Sequence, residues 1–153
     1  MNNAKYAGFW IRAGASVIDA LLLMIVLLPL MFFIYGEEYF TSEDLVVGAA
    51  DLILNYILPI VIIIWFWLRF QATPGKMATK LTILDASTGG PMNFRQAIIR
   101  YIGYIISTLP LGLGYIWVGF DKRKQGWHDK LANTVVIRST VDEPVVFDDM
   151  RRE

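Results

Sequence analysis

The stretch RQAIIRYIGYIISTLPLGLGYIWVGF, residues 95–120, decides how this chain is arranged. It is long enough to cross a lipid bilayer once. Yet basic residues flank it on both sides, with Arg95 at its start and Lys122, Arg123 and Lys124 just beyond its end. A single crossing would export the second basic cluster, against the tendency of Lys and Arg to stay on the cytoplasmic side. The segment PLGLG at 110–114 supplies a break, and a helix over residues 96–109 measures only ~21 Å at the α-helical rise. The pattern therefore predicts two half-helices that enter the membrane and return, shielded by neighbouring spans because unpaired backbone cannot face lipid. The competing expectation is one kinked span followed by an external tail.

Upstream lie two longer apolar runs. Residues 13–35 are almost continuously apolar, with Asp19 as the only ionised group, and are long enough to cross a ~30 Å hydrocarbon layer. A cleavable signal peptide would also place Lys5 and Arg12 before an apolar stretch, but this run is too long for one, carries Asp19 and lacks a small-x-small cleavage site. Residues 52–70, LILNYILPIVIIIWFWLRF, form the second span, with Pro59 near the middle and Trp65, Trp67 and Arg69 as interface anchors at one end. The connection between the spans, residues 36–51, holds acids and no Lys or Arg. The charge distribution puts both ends of this pair in the cytoplasm and the acidic loop outside.

Composition agrees with this reading. Of 153 residues, 56% are hydrophobic and only 18% charged, which points to an integral membrane protein. The net charge of zero leaves no basic surplus for nucleic acid. With no cysteine, one histidine and scattered acids, thiol catalysis, disulfides and a zinc site are not expected, and no cofactor or metal is implied. Residues 1–140 read as one membrane domain, and residues 141–153 as a polar, disordered tail.

After the second span the character changes. Residues 80–86 and 133–140 alternate or are rich in β-branched side chains, and turn residues Pro74, Gly75, Gly89, Gly90 and Pro91 surround the first run. The two runs could pair as a small cytoplasmic β-hairpin. The expected fold is thus mainly α: a small helical bundle with two long transmembrane helices, a third broken or re-entrant segment, and that hairpin.

The charges inside the apolar segments carry the functional question. Arg12 and Asp19 are seven apart and share a helix face with Ser16, but ~10 Å of axial separation forbids a direct salt bridge. An aspartate at this depth costs ~2.5 to 3.5 kcal/mol on insertion scales and calls for a partner on another helix. Gln96, Arg100, Gly103 and Ser107 form one narrow polar stripe on the third segment. Arg100 and Asp19 lie at similar depth, so the prediction is that they approach each other, with Asn55 adding a hydrogen bond. Farther on, FDKRKQGWHDKLANT at 120–134 gathers Asp121, His128 and Asp129. His128 and Asp129 diverge by ~100° on a helix and are no catalytic pair by themselves. The plainer roles are Asp121 capping a turn, Trp127 at the interface, and Asp129 balancing Arg12 or a lysine. A pH-sensitive role for His128 stays open.

At these residues the chain resembles the RDD family of small bacterial membrane proteins, named for one arginine and two aspartates. The resemblance covers roughly residues 7–138. It rests on Arg12 and Asp19 in AGFWIRAGASVIDALLL, on TPGKMATKLTILDASTGGPMNFRQAIIRYI, and on LPLGLGYIWVGFDKRKQGWHDKLANTVVI. The second aspartate corresponds to Asp129 in WHDKLANT, with Asp121 in GFD as the alternative. TPGK is not a phosphate-cradling loop, because the upstream glycine and following hydroxyl residue are missing. The resemblance implies little about activity; some members are proposed to exchange cations for protons.

Two functional expectations follow. In one, the charged residues lock helices into register and the protein is a non-enzymatic scaffold or accessory subunit of the bacterial inner membrane, with both termini cytoplasmic. It would have the lipid bilayer and a homo-oligomeric or other membrane-protein partner around it. In the other, Asp19 binds a monovalent cation or proton, tuned by Arg12 or Arg100, in an oligomeric antiporter. No internal repeat of the kind that carriers use is present.

Overall fold

A computed structural model describes residues 5–138. The chain runs through β1 (Lys5–Tyr6), α1 (Phe9–Tyr35), α2 (Glu38–Thr41) and α3 (Ala49–Asp51), which continues through a π-helical stretch (Leu52–Ile57) into α4 (Leu58–Phe70). There follow α5 (Pro74–Ala78), β2 (Leu81–Asp85), α6 (Phe94–Thr108), α7 (Leu113–Ile116) with a 3-10 turn (Trp117–Gly119), α8 (Trp127–Leu131) and β3 (Thr134–Arg138). The expected disordered tail, residues 141–153, lies outside the described residues.

Two helical runs, Phe9–Tyr35 and Ala49–Ala78, are long and apolar enough to cross a membrane. Their outward side chains are apolar as well: Leu21, Ile25, Val26 and Phe33 on α1, and Val61 and Trp65 on α4, are exposed in the isolated chain. Such a surface is stable against acyl chains and not against water. The π-helical stretch sits just before Pro59, which has no N–H to donate and whose ring crowds the carbonyl four residues back. Widening the preceding turns relieves that clash.

The third apolar segment is broken. α6 and the run Leu113–Gly119 are bent against each other by 111°. The turn between them uses Gly112 at φ 78°, a left-handed conformation that glycine adopts without a Cβ clash. At the start of α6, Asn93 and Gln96 form a capping box, each side chain accepting from the other's backbone N–H at 2.9 Å.

The two β-branched runs pair, but not as a lone hairpin. β3 is the central strand of a three-stranded antiparallel sheet in the order β1-β3-β2. Register places Ile83 opposite Val136 and Leu84 opposite Val135, so the period-two alternation separates two faces. Val136, Leu81 and Ile83 join Trp67, Met92 and Ala97 in the main core, while Val135, Ile137 and Leu84 form a second cluster with Tyr6. A two-stranded ribbon alone is marginal; the third strand and the helices on one face support this one.

Candidate functional site

Most of the buried charge collects where α1 begins. Arg12, in the first turn of α1, directs its three donors apart: Nε to the Ala7 carbonyl at 3.0 Å, one terminal nitrogen to Asp129 Oδ2 at 2.5 Å, the other to the Lys124 carbonyl at 2.7 Å. Arg100, fully buried on α6, pairs with Asp129 Oδ1 and donates to Thr134 Oγ1 at 2.5 Å. Its guanidinium lies over the rings of Trp67 and Tyr104 at 5.5 and 5.6 Å. Asp129 also accepts from the Gly126 N–H at 2.9 Å, capping the start of α8. One fully buried carboxylate is therefore shared by two arginines, 117 and 29 residues away in sequence.

The electrostatic balance follows from this geometry. Burial alone pushes Asp129 upward, but the guanidiniums of Arg100 and Arg12 overcome it and hold the carboxyl far below the usual carboxylate range. Its neighbour His128 behaves oppositely. Burial, helped by Arg100, Arg12 and Lys76 and opposed by Asp129, pulls His128 down to about 3, so the imidazole is neutral at physiological pH. The ring stacks on Tyr104 with centroids 4.2 Å apart, and Nδ1 lies 3.4 Å from Ser107 Oγ. His128 is therefore a packed aromatic rather than a titrating switch.

The predicted approach of Arg100 to Asp19 does not occur. Asp19 Oδ2 accepts from Thr73 Oγ1 at 2.5 Å, and Oδ1 accepts from the Gly75 N–H at 2.7 Å. Two close packings explain the exchange of partners. A Cβ on Gly75 would strike the Ala15 carbonyl oxygen and stand 2.9 Å from Asp19 Cγ, so only glycine lets α5 lie against α1 and cover Asp19. A Cβ on Gly103 would stand 2.7 Å from His128 Cα, so α8 lies directly on α6 and delivers Asp129 to Arg100. The polar stripe Gln96, Arg100, Gly103 and Ser107 is thus the buried face of α6, turned toward α8 rather than toward α1.

Two other predicted residues sit elsewhere. Asn55 does not join the charged set; its amide donates to Asp51 Oδ1 at 2.6 Å and to Tyr39 Oη at 3.0 Å, fastening the acidic connection at the opposite end of the spans. Asp121 caps a turn by accepting from the backbone N–H groups of Arg123 and Gln125, at 3.0 and 3.1 Å, and pairs with Lys130 at 2.5 Å. Burial raises the Asp121 carboxyl, and the contacts to Lys130 and the two amides outweigh it, leaving it below its ordinary value. Ser16 stands on the wall of two cavities, described below. The roles of Thr73 and Gly75 leave no trace in the sequence, because a hydroxyl and a backbone N–H carry no charge signature. Among the described residues no group of three or more His, Cys, Asp or Glu is arranged to hold a metal ion.

The sequence pattern of the RDD family matches residues 6–133, from β1 to the last residue before β3. The chain belongs to the RDD family. Among curated relatives, an uncharacterized protein of Rickettsia prowazekii is 40% identical over half of this chain, which in turn spans 42% of that protein's length. The uncharacterized YxaI of Bacillus subtilis is 29% identical, covering 87% of this chain and 97% of its own length. YteJ of the same organism, named as an uncharacterized membrane protein, is 27% identical over 86% of this chain and 80% of its own. No solved structure matches. In this RDD protein Arg12, Asp19 and Asp129 are engaged in buried or half-buried contacts between elements: Arg12 with Asp129, and Asp19 with the segment that opens α5.

Proposed function

We propose that this RDD protein is a non-enzymatic scaffold or accessory protein of the bacterial inner membrane, in which buried ion pairs tie the membrane segments to a small cytoplasmic sheet. The observation that carries the reading is the shared carboxylate: Asp129 links the start of α1 to α6 through Arg12 and Arg100. Its charge is fully committed, which suits a structural tie and leaves no free acid in that cluster. Asp19 is likewise engaged at both oxygens, by α5.

The sheet supports the re-entrant reading of the third segment. β1 precedes α1, β2 follows α4 and β3 follows the α6–α7 break, yet all three strands are hydrogen-bonded together. Strands of one sheet stand on one side of a bilayer, so α6 and α7 enter and return. The basic residues on these segments make that side cytoplasmic. Cysteines introduced beside Lys124 and beside Glu37 should react from opposite sides; reaction from the same side favours one continuous crossing.

The rival reading, cation or proton exchange at Asp19, is separated by reconstitution. Liposomes carrying the wild type and Asp19→Asn should show no cation-driven proton movement in either. A flux that vanishes in a folded Asp19→Asn protein overturns the scaffold reading in favour of antiport.

A further inference from the structure

Lys76, on α5, is the charged side chain that the two aspartates do not explain. It is 6% exposed, and among the described residues it makes no hydrogen bond and no ion pair. Its stem is buried while Nζ keeps contact with accessible space, so the ammonium has an opening but no anionic partner among the described residues. Lys76 stands at the junction of two cavities that share Ser16, Lys76 and Tyr104 on their walls. One, of about 470 Å³, is polar on one side, with Arg12, Arg100 and His128. The other, of about 520 Å³, is a crevice between α1 and α4, lined by Leu22, Leu23 and Val26 on one side and Leu58, Ile62 and Phe66 on the other.

The charge count around the junction is uneven. Arg12, Arg100 and Lys76 face Asp129 and Asp19; Asp129 is taken by the two arginines, and Asp19 by Thr73 and Gly75. With His128 neutral, three cations against two anions leave one net positive charge, and Lys76 is the cation that neither carboxylate bonds. Arg100 Nε, on the same wall, is fully buried without a hydrogen-bond partner.

Position and length identify the anion. α5 follows directly on the end of α4 that bears the exposed Trp65 and Arg69, so Lys76 stands at the level of lipid headgroups; Trp67, expected as a third anchor, is buried in the core instead. From there the crevice follows α4 and the π-helical stretch before it, from Phe66 back to Leu54, a distance of ~18 Å at the helical rise. That is close to one leaflet of a ~30 Å hydrocarbon layer. We propose that α1, α4 and α5 form a binding site for an anionic membrane phospholipid, with its phosphate on Lys76 at the cavity junction and one acyl chain in the α1/α4 crevice. This goes beyond the scaffold reading and depends on a different residue.

The test uses the full chain, purified in a neutral detergent and titrated with dioleoyl phosphatidic acid, dioleoyl phosphatidylcholine and inorganic phosphate, with bound lipid counted by native mass spectrometry. Phosphatidic acid should bind tighter than phosphatidylcholine by about tenfold, the scale of one charge-assisted contact. Lys76→Gln should remove that preference and Lys76→Arg should keep it. Leu58→Trp, which fills the crevice and leaves the charges untouched, should weaken binding of phosphatidic acid. Inorganic phosphate at equal concentration should not displace the lipid. Equal binding of the two lipids, an unchanged preference in Lys76→Gln, or displacement by inorganic phosphate each overturns the proposal. Should Lys76→Gln fail to fold, the wild-type preference and Leu58→Trp still decide. The flux experiment on Asp19 reads the scaffold proposal separately, so either can fail alone.

Discussion

Replacing Asp129 with Asn changes one atom's chemistry and keeps the shape, so it isolates the charge at the centre of the tie. In the wild type the carboxylate receives Arg12, Arg100 and the Gly126 N–H. Asparagine keeps one oxygen acceptor and turns an NH₂ toward a guanidinium, setting donor against donor. Arg12 has fallback acceptors in the carbonyls of Ala7 and Lys124. Arg100 does not: it is fully buried, and its remaining partners are two neutral hydroxyls, of Thr134 and Tyr104. Breaking a buried pair by removing one partner costs ~3–5 kcal/mol because it leaves an uncompensated charge, and this site belongs at the upper end of that range because two cations lose the same anion.

Stability of the wild type, Asp129→Asn, Arg100→Met and the double variant, measured by SDS titration from a mild detergent with far-ultraviolet circular dichroism, forms a double-mutant cycle. The double variant should be less destabilised than the sum of the singles, by on the order of 1–3 kcal/mol, since the second change removes the orphaned cation left by the first. Arg12→Met should cost less than Arg100→Met because Arg12 keeps 10% side-chain exposure at the edge of the site whereas Arg100 is fully buried, so its loss leaves the larger void. An Asp129→Asn protein within ~1 kcal/mol of the wild type, or singles that simply add, would refute the shared-carboxylate argument.

Gly75→Ala should separate α5 from α1 and cost ~1–3 kcal/mol in the same titration, since the added methyl meets the Ala15 carbonyl and the Asp19 carboxylate. Gly103→Val should lift α8 from α6 and expose Asp129, read as faster hydrogen exchange over residues 127–131; protection equal to that of the wild type counts against the close approach. For His128 the folded value is about 3 against an ordinary 6.5, so the unfolded chain takes up a proton first as pH falls. Its contribution to stability is fully present above about pH 6.5 and is lost progressively toward pH 3. Imidazole NMR shifts should stay flat between pH 8 and 5, and His128→Asn should flatten the fall in unfolding midpoint below pH 6.5.

Features that depend on local period were legible in the sequence. The two long runs, the break at PLGLG and the stripe Gln96, Arg100, Gly103 and Ser107 all follow from residues that share a helix face or interrupt one. The partner of that stripe was not legible, because depth along a helix axis says nothing of which neighbour covers a face. Depth points that stripe to Asp19 and leaves Asp129 to Arg12 or a lysine, and two glycines decide otherwise: Gly75 admits α5 to α1, and Gly103 admits α8 to α6. β1 is not legible for a different reason, since two residues are too few to show alternation. The one cue to Lys76 is a lysine in a short segment, TPGKMAT, that holds no acid.

The ties fall at one end of the spans. Arg12, Asp19, Thr73, Gly75, Arg100 and Asp129 all join elements near the start of α1 and the end of α4. Farther along, α1 and α4 leave a crevice between them that follows several turns of each helix. Helices in lipid gain nothing from hiding leucine from leucine, so without small residues or polar contacts along the middle no force closes that gap. The acidic end is fastened separately, through Tyr35, Asp51, Asn55 and Tyr39. A pair of helices pinned at both ends and open between them is held there by polar contacts and, at the α5 end, by the core around Ala15 and Trp67. This arrangement lets a lipid-sized apolar cleft persist beside an unpaired lysine.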